Sequence, residues 1–128
     1  MNATVAAMTK KGVPTILGGA SFRTFRCLWM LEELGVPYQH VPSMPQSSEV
    51  KRYNPLGKIP VLIEDDGDFS MYESGAIVTY LGDKYRQDDN SNSPLVPLAG
   101  TRLRGKYEQT MSVLLTELDA QGLWMRVF

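Results

Sequence analysis

Apolar positions along the chain come in short bursts, each closed by glycine, proline or a polar cluster. Pro14, Thr15, Ile16 and Leu17 form a β-type run stopped by Gly18 and Gly19, and an apolar stretch over residues 22–34 follows, closed by Gly35 and Pro37. This predicts a strand, a turn and a helix. On a helical wheel Phe22, Phe25 and Trp29 share one side, while Cys27, Leu31 and Leu34 lie nearly opposite, so the helix is expected to be covered on both flanks. Residues 38–41 read as a second strand, completing a βαβ unit whose strands run parallel with a right-handed crossover.

Residues 42–54 are polar and proline-containing, and predict a surface loop with a short helix around residues 49–53. Two alternating runs, residues 61–64 and 69–72, flank Asp65-Asp66-Gly67-Asp68, where an Asp-Gly pair supplies the positive φ angles of a tight turn. A hairpin is predicted there. A helix over residues 74–85 carries Ile77, Leu81 and Tyr85 at intervals of four, with Val78 beside them. The polar run QDDNSNS and the prolines after it mark a boundary, beyond which Tyr107, Met111, Leu114 and Leu118 form the stripe of another helix. The organisation expected is an arm (1–12), an α/β domain (13–86), a linker (87–100) and the first part of a helical domain (101–128). The stripe, the two-flanked helix and the terminal Leu123, Trp124, Val127 and Phe128 together predict a chain that is not a solitary monomer.

Composition narrows the function. In 128 residues, 43% are hydrophobic and 21% charged, so a core is affordable and the chain is not disordered throughout. A net charge of −1 argues against nucleic acid or an anionic membrane as the main partner. One cysteine, Cys27, and one histidine, His40, exclude an internal disulfide and a Cys/His metal cluster, and a reducing, cytoplasmic compartment fits best. No run approaches the ~18 apolar residues of a membrane span. The small, basic arm is compatible with a short transit peptide.

The phrases SFRTFRCLWMLEELGVPYQ (21–39), YNPLGKIPVL (53–62) and YESGAIVTYLGDKY (72–85) resemble the N-terminal domain of the cytosolic glutathione transferases, and RGKYEQTMSVLLTELD (104–119) is similar to the first helix of that family's second domain. The resemblance implies a thioredoxin-like βαβ-ββα domain followed by the start of an all-helical one. It also implies that glutathione is bound as a co-substrate, without a metal. Pro60 would then be cis and present the backbone of Ile59 to the ligand; from the residues alone it reads as a trans proline starting a strand.

Glu73 and Ser74, at a helix start, would hold the ammonium and carboxylate of the γ-glutamyl end, with capping by Ser74 as the structural alternative. Lys58 would meet the glycine carboxylate. The resemblance places Thr24 where a hydroxyl at a helix start stabilises the glutathione thiolate, with Ser21 as the alternative donor and helix capping as the structural reading of both. Cys27 reads as a small core residue, and Arg23 and Arg26 as solvent-facing. The activity implied is conjugation of glutathione to an electrophile or reduction of a peroxide, as in detoxification, provided a full helical domain is supplied. The alternative is a non-catalytic subunit of the same fold serving as an interaction module. A homodimer or a larger assembly is implied in either case.

Overall fold

The computed structural model of the chain describes residues 12–21, 23–86 and 94–121. Two compact units divide between Tyr85 and Arg86. The first is built on a sheet of order β2-β1-β3-β4: β1 (Thr15–Leu17), β2 (Gln39–Val41), β3 (Val61–Glu64) and β4 (Phe69–Tyr72). β1 runs parallel to β2, with Thr15 opposite Gln39, and antiparallel to β3, with Ile16 opposite Leu62. A direct hairpin joins β3 to β4.

The central strands are apolar on both faces because both faces are covered. Leu17, Val61 and Ile63 pack with Val50 of α2 (Ser48–Tyr53) on one side. Alternation turns Ile16 and Leu62 to the other side, that of α1 (Thr24–Leu34) and α3 (Ser74–Lys84), which pack on each other. Ile16, Leu17, Leu62 and Ile63 are fully buried. This is the thioredoxin-like α/β architecture the sequence predicts.

Three details differ from expectation. α1 starts at Thr24, two residues after the apolar stretch begins, and is preceded by a turn in which the Arg26 N–H donates to the Arg23 carbonyl at 3.1 Å. Only one flank of α1 is covered: Cys27, Leu28 and Leu31 are buried, whereas Phe25 and Trp29 are 55% and 57% exposed and lie against each other with ring centroids 5.9 Å apart. Phe22 lies outside the described residues. The hairpin turn spreads positive φ over Asp65, Asp66 and Gly67 instead of two residues, and closes with the Asp68 N–H on the Asp65 carbonyl at 3.1 Å.

In the second unit α4 (Arg102–Val113) continues as a π-helical segment, Leu114–Ala120. The predicted stripe is half-buried at Tyr107 and Met111 and exposed at Leu114 and Leu118. The terminal cluster at Leu123, Trp124, Val127 and Phe128, and the expected linker residues 87–93, lie outside the described residues.

Candidate functional site

The turn from β1 into α1 is organised around Gly18. Its φ of 137° is open to glycine, and a Cβ there would overlap Thr24 Oγ1 and lie 3.0 Å from the Cβ of Ile59. Gly18 is the point where β1, the start of α1 and the loop before β3 meet. Ser21, three residues on, is exposed. Thr24 is fully buried, and its Oγ1 has no hydrogen-bond partner among the described residues. The expectation that the Thr24 hydroxyl reaches an incoming sulfur therefore meets a side chain that points inward, on the face shared with Cys27 and Leu31. Cys27 is itself core: burial pushes its thiol up to about 12, against a smaller lowering by Arg26, so it stays protonated and is a poor nucleophile.

The loop ahead of β3 is held by Asn54, which is buried. Its Nδ2 donates to the Lys58 carbonyl at 2.8 Å and its Oδ1 accepts from the Leu56 N–H at 3.0 Å, while the Gly57 N–H returns to the Asn54 carbonyl at 2.8 Å. Gln46 clips the loop from outside: its N–H donates to the Gly57 carbonyl at 2.8 Å and its Nε2 to the Leu56 carbonyl at 3.0 Å. A Cβ on Gly57, where φ is 65°, would come within 2.6 Å of that Nε2. The loop leads into a cis Ile59–Pro60 peptide bond, with Pro60 buried, Ile59 half-buried and Lys58 exposed. Asn54 and Gln46 were not among the predicted site residues. The signal for Asn54 was its place at the head of Asn-Pro-x-Gly-Lys-x-Pro, where a loop needs both carbonyl and N–H partners.

At the start of α3, Glu73 is exposed and adopts φ 77°, ψ 108°, a conformation that costs a non-glycine residue about 1–3 kcal/mol. Its side chain makes no capping bond, and Ser74 is the first helical residue and not the cap. The first-turn N–H groups of α3 thus lack the side-chain acceptor that usually meets one of them. Ser74 is buried, and its Oγ accepts a long hydrogen bond of 3.4 Å from Arg26 Nη1 of α1. Arg26, expected in solvent, is half-buried between the two helices instead, because it has this acceptor to reach. The structure therefore links Thr24 with Ile59 through Gly18, and Ser74 with α1 through Arg26. Ser21, Lys58 and Glu73 are placed at the surface on the turn, the loop and the helix start.

At its other end α3 is closed. The buried carboxylate of Glu64 accepts from Tyr80 Oη and from Lys84 Nζ, each at 2.6 Å, and from Tyr85 Oη at 3.4 Å. Burial works against the Lys84 charge, but its bonds to Glu64 and Tyr80 outweigh that and hold the ammonium above the ordinary lysine range. Burial, then the bond to Glu64, raises Tyr80. With every polar atom of this group engaged, it ties β3 to α3 as structure. Among the described residues no group of three or more His, Cys, Asp or Glu is placed to hold a metal ion, and no helix is long and apolar enough to cross a membrane.

A sequence profile described as "Glutathione S-transferase, N-terminal domain" matches residues 20–89. Glutathione S-transferase hmp2 of Hypomyces subiculosus is 36% identical over 103 residues, covering 76% of this chain and 46% of that protein. Glutathione S-transferase F10 of Arabidopsis thaliana is 34% identical over 111 residues, covering 86% and 44%. Among solved structures, the theta class glutathione S-transferase of Xanthomonas axonopodis pv. citri with glutathione bound superposes with a TM-score of 0.68 at 27% identity, covering 84% of this chain and 51% of that one. The chain spans about half the length of these relatives.

Proposed function

The chain belongs to the glutathione S-transferase family, and from that premise we propose that its first unit binds glutathione and holds the thiol ready to attack an electrophile. The observation that carries this reading is the pair of helix starts, α1 and α3, that lack a side-chain cap. Beside them stand groups matched to the two ends of a γ-glutamyl peptide. Glu73 takes the ammonium. Ser74 and the free N–H groups of α3 take the carboxylate, helped by the positive end of the helix dipole. Because Ser74 Oγ accepts from Arg26, its own O–H remains able to donate to the carboxylate, and the guanidinium adds positive charge nearby. The cysteinyl backbone lies along Ile59, and the glycine carboxylate meets Lys58.

Ser21, exposed on the turn, supplies the hydroxyl that donates to sulfur. A hydrogen bond to the charged form favours it, so the thiol of the bound peptide ionises more readily. The thiolate then forms a C–S bond to an electrophilic carbon as the leaving group departs with its electron pair, or attacks a peroxide oxygen, breaking the O–O bond so that the alkoxide leaves and takes up a proton. The glutathione sulfenic acid formed in the second case condenses with a second glutathione thiol to the disulfide and water. Thr24, being buried, acts in this reading only as packing behind the turn. Exposed Leu103, Leu114 and Leu118 in the second unit favour cover by a second copy of the chain or by further helices, as expected of a dimeric enzyme. The single thiol, buried and free, suits a reducing, cytoplasmic setting.

Calorimetric titration with glutathione tests the reading. Glu73→Ala is expected to weaken binding by about 1.5–3 kcal/mol, as for a hydrogen bond to a charged group. No binding to the unmutated chain overturns the assignment, and full affinity in Glu73→Ala overturns the placement of the γ-glutamyl end.

A further inference from the structure

The one histidine of the chain has no role in the site as proposed, yet it is bonded to that site from behind. His40 lies in the middle of β2, and its Nε2 is 2.7 Å from the carbonyl oxygen of Gly18. A carbonyl oxygen only accepts, so Nε2 carries the hydrogen: a neutral ring is the Nε2–H tautomer, and an imidazolium donates equally well. On the same peptide segment the Gly18 N–H donates to the Val41 carbonyl at 3.1 Å. Consecutive residues of β2 thus hold both polar groups of Gly18, one residue beyond the end of β1. The remaining side of Gly18 has no room either, being closed by Thr24 Oγ1 and the Cβ of Ile59.

Fixing the Gly18 carbonyl fixes the plane of the Gly18–Gly19 peptide. The next two residues, Gly19 and Ala20, have little side chain with which to anchor themselves, and Ser21 follows immediately. The direction in which the turn leaves the sheet is therefore set at Gly18. We propose that His40 is a positioning residue for thiol activation: by pinning the Gly18 carbonyl it sets where the turn presents Ser21 relative to the Ile59 edge. This rests on the glutathione reading above and adds to it a residue on a strand that touches no part of the ligand.

The test compares His40→Leu, which removes the donor and keeps bulk, with His40→Gln, which retains an N–H donor of similar reach. Ionisation of the bound glutathione thiol is followed by ultraviolet absorbance of the thiolate against pH, and the affinity for S-methylglutathione, which has no thiol to ionise, by calorimetry. His40→Leu is expected to raise the bound thiol's pKa by about one unit, cutting the thiolate fraction by about tenfold at pH values well below that pKa. The Kd for S-methylglutathione should stay within about threefold, and His40→Gln should restore ionisation. An unmoved thiol pKa in His40→Leu overturns the proposal while leaving the proposed function intact. Equal losses of ionisation and affinity in both variants also overturn it, marking His40 as structural only. Failure of the unmutated chain to bind glutathione overturns both readings together. If neither variant folds, the imidazole nitrogen shifts of the unmutated, ligand-free chain decide: a slowly exchanging proton on Nε2 supports the clamp, and a neutral ring protonated on Nδ1 overturns it.

Discussion

The starts of the four α-helices among the described residues fall into two pairs. α2 and α4 are closed in the ordinary way: Ser47 and Thr101 sit in extended backbone, and each side chain accepts from the N–H three residues on, Val50 at 3.4 Å and Arg104 at 3.1 Å. α1 and α3 are not. Arg23 enters α1 already in helical backbone, Glu73 enters α3 at positive φ, and neither side chain caps. Hydroxyls are at hand in both cases, Ser21 and Thr24 for one and Ser74 for the other, but they stand off the cap position. A helix that only has to be stable uses its hydroxyl on its own backbone. At the two helices that meet at the proposed glutathione site no hydroxyl is used on the helix's own start, which leaves the first-turn N–H groups of α3 and the exposed hydroxyl of Ser21 for something other than the helix itself.

The contrast breaks most visibly at Ser21. Since it caps nothing and lies in an exposed turn, Ser21→Ala should change stability by less than about 0.5 kcal/mol. The same substitution should raise the pKa of bound glutathione and lower turnover about tenfold to a hundredfold, the worth of a hydrogen bond to a charged group. Chemical denaturation beside thiolate absorbance measures both. A stability loss of cap size with no change in thiol ionisation would make Ser21 an ordinary helix-starting serine and dissolve the distinction between the pairs.

Thr101→Ala is the mirror experiment. It removes a bond of 3.1 Å to the Arg104 N–H at the head of α4, and should cost about 1 kcal/mol of the stability of that unit. Thiol ionisation should not change. Hydrogen exchange along residues 102–113 localises the loss, and a shift in the bound thiol's pKa would show that a cap far along the chain also governs the site.

Much of this arrangement was legible in the sequence where the signals are local. Period-two runs around Asp-Gly yielded the hairpin, and the β-type run, Gly18 and the apolar stretch after it yielded the βαβ unit, because turn chemistry and side-chain period act over a few residues. The uncovered flank at Phe25 and Trp29 was not legible, since the wheel shows that two flanks are apolar but not which one the sheet and α3 will take. The Arg26 to Ser74 bond joins residues 48 apart, and the His40 to Gly18 bond joins residues 22 apart; neither leaves a trace in spacing. Thr24 is different, because the trace was there. It stands three, four and seven residues before Cys27, Leu28 and Leu31, all buried, so helical spacing alone places it on the core face. Matching phrases along the chain led to Thr24 without weighing which side of the helix it takes.

Thr24→Val is the smallest and sharpest of the tests. The Thr24 Oγ1 is buried without a hydrogen-bond partner among the described residues, and a hydroxyl left so costs about 1–3 kcal/mol by mutational comparison. Valine has the same branched shape, keeps the packing beside Gly18, and needs no partner. Its slightly larger methyl must be accommodated against Gly18, which offsets part of the gain. Thr24→Val should therefore raise stability by about 0.5–1 kcal/mol, read as a higher denaturant midpoint at constant slope, with the pKa of bound glutathione unmoved. Should ionisation of the thiol fall as it does in Ser21→Ala, the hydroxyl that meets the sulfur is that of Thr24. The start of α1 would then have to open toward the ligand on binding, and the inward-facing threonine would describe only its closed form.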